Sequence, residues 1–197
     1  MSDSVFEQKR TLRDEARARR RRAAAAAGTQ AGERLVDNYF EAAARFPNWS
    51  ARAPVSGYWP MAEEMDVRPL MARLHAEGHV IGLPVVVAKG EPLIFRRWHP
   101  GTTLATASFG LHQPGADAPE VAPEILLVPL LAFDPSGYRL GWGGGFYDRT
   151  LTAVRKARVA IAVGVAYAAQ RVDRLPRTER DQRLDWVITD EDYMEIR

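Results

Sequence analysis

The segment "GWGGGFYDR" (141–149) puts Gly141, Gly143, Gly144 and Gly145 within five residues, followed at once by Phe146, Tyr147, Asp148 and Arg149. Bare glycines let backbone N–H groups approach an anion, and a helix opening behind them adds the partial positive charge of its N-terminus. A tight turn with positive φ accounts for one glycine; so many together point to a bound phosphate. Phe146 occupies the last position of a G-x-G-x-x-G pattern and no G-K-S/T follows, so the segment is neither a dinucleotide fingerprint nor a Walker loop. Around the glycines, Asp148 could ligate Mg²⁺, Arg139 and Arg149 could offset phosphate charge, and Trp142 or Tyr147 could stack on a ring.

A second concentration of charge lies near the N-terminus. Residues 9–22 hold eight Lys or Arg against Asp14 and Glu15, while the whole chain carries only +2, so the remainder is net negative. Lys9 and Arg13, four apart, share a helix face. The run Arg19 to Arg22 reads as a solvated face. Glu63, Glu64 and Asp66 stand at a helix start, where the dipole alone favours acids. His75 and His79 have metal-like spacing, but Gly78 separates them and no third ligand is near, which makes them polar helix-end residues. Trp49, Trp59, Trp98 and Trp186 read as core or rim, and only Trp142 is placed for ligand contact.

These residues need a scaffold. Good helix formers run over 4–27 up to Gly28, and a second helix over 30–46 has Leu35, Tyr39, Ala43 and Phe46 on one face. Short apolar runs at 53–59, 79–87, 92–98, 124–133, 158–166 and 185–189 are strand candidates, several apolar on both faces as in a buried parallel sheet. Helices over 66–78 and 145–156 alternate with them, and 112–123 reads as a surface loop. The pattern predicts an α/β fold, a single domain over 1–197 with a mostly parallel sheet flanked by helices, and places the glycine segment at a strand–loop–helix junction.

Composition sets the outer bounds. The 197 residues are 46% hydrophobic and 26% charged, ordinary for a globular protein. No cysteine is present, which removes disulfides, thiolate metal sites and cysteine nucleophiles and fits a reducing compartment. The longest apolar run, Val159 to Ala169, is too short to span a membrane, and the polar N-terminus lacks a secretory h-region. The expected location is the cytoplasm.

"VPLLAFDPSGYRLGWGGGFYDRTL" (128–151) resembles the signature of the 5-formyltetrahydrofolate cyclo-ligases, also called methenyltetrahydrofolate synthetases. The resemblance extends in order through "KRTLR" (9–13), "YWPMAEEMDVRPL" (58–70), "RRWHPGTTLATASFGLHQP" (96–114) and "RDQRLDWVITD" (180–190). It implies a Rossmann-like sheet (NagB/RpiA/CoA-transferase-like) and an ATP- and Mg²⁺-dependent ring closure of 5-formyltetrahydrofolate to 5,10-methenyltetrahydrofolate, with ADP and phosphate released. Phosphoryl transfer relies on positioning and charge neutralisation more than on a nucleophilic side chain, so no catalytic nucleophile is assigned.

Carried over position by position, the resemblance assigns ATP phosphates to Lys9, Arg10 and Arg13. The ATP loop would comprise Arg139, Leu140, Gly141, Trp142, Gly143, Gly144, Gly145, Phe146 and Tyr147, with Trp142 to Phe146 also bordering the folate. Trp59 and Glu64 would face the folate, since a carboxylate accepts paired hydrogen bonds from the N–H edge of a pterin. Asp148 and Asp181 would hold Mg²⁺. The chain departs from the family pattern at Gly144, where many members have lysine, at Phe146, the first tyrosine of "YYD", and at Arg180, where others carry histidine. The partners implied are 5-formyltetrahydrofolate and ATP, with a monomer and no membrane or nucleic acid expected. Two other readings stay open: a family relative that binds nucleic acid through the basic helix and lacks the ligase activity, and a sugar-phosphate or CoA-type enzyme, which gives no reason for Asp148 and Asp181.

Overall fold

A computed structural model of the chain describes residues 2–47, 50, 52–107 and 110–197, with the side chains of residues 2 and 3 left aside; Asn48 and Trp49 lie outside the described residues. Helix α1 spans Ser2–Ala27 and α2 spans Ala31–Ala43. Gly28 separates them at φ +69, the left-handed region a glycine enters without a Cβ clash. Strand β1 (Val55–Ser56), helix α3 (Arg68–Ala76), β2 (Ile81–Val85), β3 (Ile94–Trp98), β4 (Leu104–Thr106), β5 (His112–Pro114) and β6 (Ile125–Pro129) follow. The chain continues with β7 (Ala132–Phe133), β8 (Arg139–Leu140), α4 (Phe146–Ala157), β9 (Ile161–Val165), β10 (Trp186–Ile188) and β11 (Tyr193–Glu195).

Seven strands form the main sheet in the order β11-β10-β9-β6-β1-β2-β3. The pairs β10/β9, β9/β6, β6/β1 and β1/β2 are parallel, and only the edge strands β3 and β11 run antiparallel. The two faces separate by residue alternation. Ile125 and Leu127 face the core shared with Leu35, Tyr39, Leu70 and Leu74 of α2 and α3. Leu126 and Val128 face Leu151 and Val154 of α4 on the other side. Every residue of β9 is buried, as expected of a strand covered on both faces. This is the mostly parallel α/β sheet flanked by helices that the strand and helix spacing predicts.

From the adjacent strands β1 and β6 the chain leaves in opposite directions, β1 through α3 to β2 and β6 through α4 to β9, onto opposite faces. Such a switch point opens a crevice beyond the carboxyl ends of the strands. The segments leaving β1 and β6 there carry Glu64 and the glycine loop.

The expected strand over 124–133 is two strands. Pro129 has no N–H to continue the ladder, and the chain turns at Leu130 and Leu131, whose carbonyls accept from Gln170 Nε2 at 2.9 and 3.0 Å. A hairpin of β7 and β8 follows, its turn closed by Asp134 Oδ1, which accepts from the Ser136 and Tyr138 amides. Local periodicity also did not reveal the β4/β5 hairpin or the edge strand β11. The expected loop over 112–123 contains β5 at its start, and the remainder is held by the isolated bridge between Arg96 and Glu120.

Candidate active site

Helix α1 lies across the β7/β8 hairpin through Leu12 and Ala16, which pack with Leu131, Ala132, Leu140 and Leu175. That contact orients one stripe of α1 towards the glycine loop. Lys9, Ala16, Arg20 and Ala23 are its buried positions, and Arg13 and Arg17 are half-buried beside them. Spacings of three and four put them on one face. Arg13 Nε donates to Gly141 O at 2.9 Å. A Cβ at Gly143, where φ is +104, would meet the Arg13 guanidinium at 3.1 Å, so the loop approaches this cation closely because it lacks side chains there.

Two carboxylates sit beyond the same loop. Lys9 Nζ donates to both oxygens of Asp181 at 2.6 Å, across 172 residues of sequence. The Thr178 amide and hydroxyl donate to Asp181 Oδ2 at 2.5 and 3.1 Å. Burial pushes the Asp181 carboxyl up, but the bonds from Lys9 and Thr178 outweigh it and hold its pKa below the ordinary 3.8. Asp148, in the first turn of α4, accepts through Oδ1 from Arg139 at 2.7 Å and from the Gln182 amide at 3.0 Å. Arg139 also donates to Gln182 O at 2.6 Å. Its pKa is lowered by burial, against which Asp148 and then Asp181 act. The backbone of residues 181–182 thus brings the two acids to one side of the loop.

Glu64 forms the other wall. It is 6% exposed, with Oε2 accepting from the Met61 amide at 3.0 Å and Oε1 accepting from Trp142 Nε1 at 3.0 Å and Arg20 at 3.4 Å. The guanidinium carbons of Arg17 and Arg20 lie 5.2 and 5.1 Å from the centre of the Trp142 ring. The Tyr147 hydroxyl is buried without a hydrogen-bond partner among the described residues. Burial, and then the charge of Glu64, push its pKa up.

Most of the expected residues converge, with exceptions. The expectation that Arg19 to Arg22 form a solvated face is corrected at Arg20, which is 2% exposed and paired with Glu64. Arg19 is half-buried, while Arg21 and Arg22 are exposed. Arg10 turns to solvent and pairs with Glu7, outside the contacts that join α1 to the loop. The Leu140 side chain is in the core, leaving only its backbone towards the loop. Phe146 is half-buried beneath the Arg149 guanidinium, 5.1 Å from its ring centre, and Gly144 O accepts from Arg149 at 2.9 Å. Trp59 is half-buried under Arg68, whereas Trp98 and Trp186 are core residues. His79 is buried with Nδ1 2.8 Å from Ala53 O, in keeping with a structural role. Arg17 and Arg20, which contact Trp142 and Glu64, are the residues of this candidate site that sequence reasoning missed. The signal was present, because Arg20 falls seven residues after Arg13 and eleven after Lys9 on the same helical stripe.

The fold and these contacts define an α/β protein whose glycine loop opens a helix at a switch point, flanked by cations and carboxylates. Residues 5–190 match the 5-formyltetrahydrofolate cyclo-ligase family. The 5-formyltetrahydrofolate cyclo-ligase of Escherichia coli (strain K12) is 39% identical over 132 residues, 64% of this chain and 71% of that protein. That of Mycolicibacterium smegmatis is 34% identical over 157 residues, 72% of this chain and 78% of that protein. The NMR structure of Aquifex aeolicus 5,10-methenyltetrahydrofolate synthetase matches with a TM-score of 0.68 at 30% identity, over 94% of this chain and 93% of that chain. The chain belongs to the 5-formyltetrahydrofolate cyclo-ligase family. No helix among the described residues is long and apolar enough to cross a membrane.

Proposed function

We propose that the chain catalyses the ATP- and Mg²⁺-dependent closure of 5-formyltetrahydrofolate to 5,10-methenyltetrahydrofolate, releasing ADP and phosphate. The observation that carries this reading is that α1 brings Lys9 to Asp181 and Arg13 to the glycine loop, while Gln182, next to Asp181, donates to Asp148 in the first turn of α4. An amide-like formyl oxygen is a poor leaving group. Its attack on the γ-phosphorus of ATP expels ADP and converts it into a phosphate ester. N10 then attacks the formyl carbon, the C–O bond breaks, phosphate leaves, and N10 gives up its proton.

The residues present suit these demands. The glycine amides and the N-terminus of α4 receive phosphate oxygens. Lys9 and Arg13 neutralise their charge, Lys9 exchanging Asp181 for phosphate when ATP enters. Glu64 accepts from the N–H edge of the pterin, and Trp59, Trp142 and Phe146 border it. No group of three or more His, Cys, Asp or Glu is gathered among the described residues. Mg²⁺ keeps waters and is bound by one or two carboxylates together with substrate phosphates, so Asp148 and Asp181 fit its usual mode. Bound there, Mg²⁺ would offset charge on the transferring phosphoryl group.

The test is incubation with 5-formyltetrahydrofolate, ATP and Mg²⁺ while following methenyl product and ADP together. Equal amounts of both support the reading. No product, or product formed without ADP, overturns it.

A further inference from the structure

Arg20 has no role in the reading above, yet it is the most buried charged side chain described, with 2% exposed surface. Burying a guanidinium is costly unless it is paired and hydrogen-bonded. Here its satisfaction is thin: Nη1 reaches Glu64 Oε1 at 3.4 Å, and Nε is buried with no partner among the described residues. It also lies over the face of Trp142, 5.1 Å from the ring centre, with Tyr58 and Tyr167 within electrostatic reach. A purely structural buried arginine would be expected to use more of its five donors. What Arg20 touches instead are Glu64, after β1, and Trp142, inside the glycine loop after β6.

We propose that Arg20 is a positioning residue for the folate, holding Glu64 as an oriented anion and Trp142 against it, so that the indole N–H occupies Glu64 until the substrate's N–H edge replaces it. The inference rests on the reading of Glu64 as the pterin acceptor. Oε1 of Glu64 already accepts two bonds and Oε2 one, so a paired donor edge that needs both oxygens must displace a bond at Oε1. The Met61 amide is on the residue's own loop, and Arg20 lies on a packed helix. Trp142 is 43% exposed on a glycine-flanked loop and is the contact free to leave. Arg17, on the other contact to the ring at 5.2 Å, is half-exposed and already paired with Asp14. Arg20 therefore keeps its hold on Glu64 when the indole moves out. Release of Trp142 from Glu64 would free the loop segment that the reading above assigns to ATP phosphates.

The experiment compares wild type with Arg20→Leu, Arg20→Lys, Glu64→Gln and the Arg20→Leu/Glu64→Gln pair, measuring KM for each substrate and kcat. The indole N–H resonance of Trp142, assigned with Trp142→Phe, is followed in the same proteins. Arg20→Leu should raise the folate KM roughly ten- to a hundredfold, leave the ATP KM little changed and move the Trp142 resonance in the free protein. Arg20→Lys should recover part of both. In the Glu64→Gln background the leucine substitution should add little, because the two residues act as one unit. In wild type, folate without ATP should move the Trp142 resonance. An unchanged folate KM in Arg20→Leu, an equal rise in both KM values, or full additivity with Glu64→Gln overturns the inference alone. A wild-type folate KM in Glu64→Gln overturns the underlying reading of Glu64. Should Arg20→Leu not fold, the comparison of Arg20→Lys with wild type and the folate-induced shift of Trp142 decide the matter.

Discussion

Trp142 Nε1 donates to Glu64 Oε1 at 3.0 Å across 78 residues of sequence, and this bond joins the segments leaving β1 and β6. It brings the glycine loop and the Glu64 carboxylate to one point. A third element joins them there, because Arg20 of α1 contacts both. The two segments are therefore joined through side chains and not only through the sheet.

Gly145 caps α4 at φ +66, and a Cβ there would meet Arg149 Nη1 at 2.8 Å. A β-branched side chain is strained in that region. Gly145→Val should cost about 1–2 kcal/mol of stability and weaken ATP binding more sharply than it weakens the fold. Calorimetric ATP titration beside thermal melting checks this, and unchanged affinity in a folded variant removes the loop from the ATP site.

The basic helix should divide by burial and not by sequence order. Removing charge at Lys9 and Arg13 should raise the ATP KM, each lost charge-assisted contact costing roughly 1.5–3 kcal/mol. Neutralising Arg10, Arg21 and Arg22, all exposed, should leave turnover nearly unchanged. A nucleic-acid binder requires the opposite order, together with RNA affinity that falls steeply with salt. Steady-state kinetics and salt-dependent RNA binding on both variants separate the two.

Asp148→Asn removes the anion from Arg139, which is 9% exposed. The Asp148 side chain is 29% exposed, so the loss of stability should be about 1–2 kcal/mol, below that of a wholly buried pair. Turnover should need more Mg²⁺, since an amide oxygen is a weaker ligand for a hard cation. Denaturation without metal and Mg²⁺ titration of turnover measure the two effects. Identical titrations for the variant and wild type place the metal elsewhere.

Asp66 binds the start of α3, accepting from the Arg68 amide at 2.9 Å and from its guanidinium at 2.8 and 2.7 Å. Burial pushes this carboxyl up, but the Arg68 bonds outweigh it and hold the pKa below the ordinary 3.8. A depressed folded pKa stabilises the fold above the unfolded value, and that contribution is lost as pH falls through the folded one. Because the pair is partly exposed and screened by solvent, Asp66→Ala should cost roughly 0.5 kcal/mol at neutral pH, with the gap closing below pH 3.8. Denaturant midpoints across an acid series test it; a gap independent of pH assigns the loss to packing.

The sequence by itself determined the helices, the buried strands of the main sheet and the glycine loop, but not the β4/β5 hairpin or the edge strand β11. Apolar runs such as the one containing Ile161 to Val165 must be buried on both faces, and four glycines before Phe146 require a loop opening a helix. These are local properties, set by side-chain period and backbone freedom. The stripe carrying Lys9, Arg13 and Arg20 was equally legible as a spacing, but not what it would meet. Asp181 reaches Lys9 only because the chain near 178–182 folds back against α1, and Glu64 meets Trp142 only because β1 and β6 are neighbours. Burial of Arg20 and exposure of Arg10 follow from where α1 crosses the β7/β8 hairpin. Helical periodicity defines a face, but only the packing of remote segments decides which face is covered and which charge finds a partner.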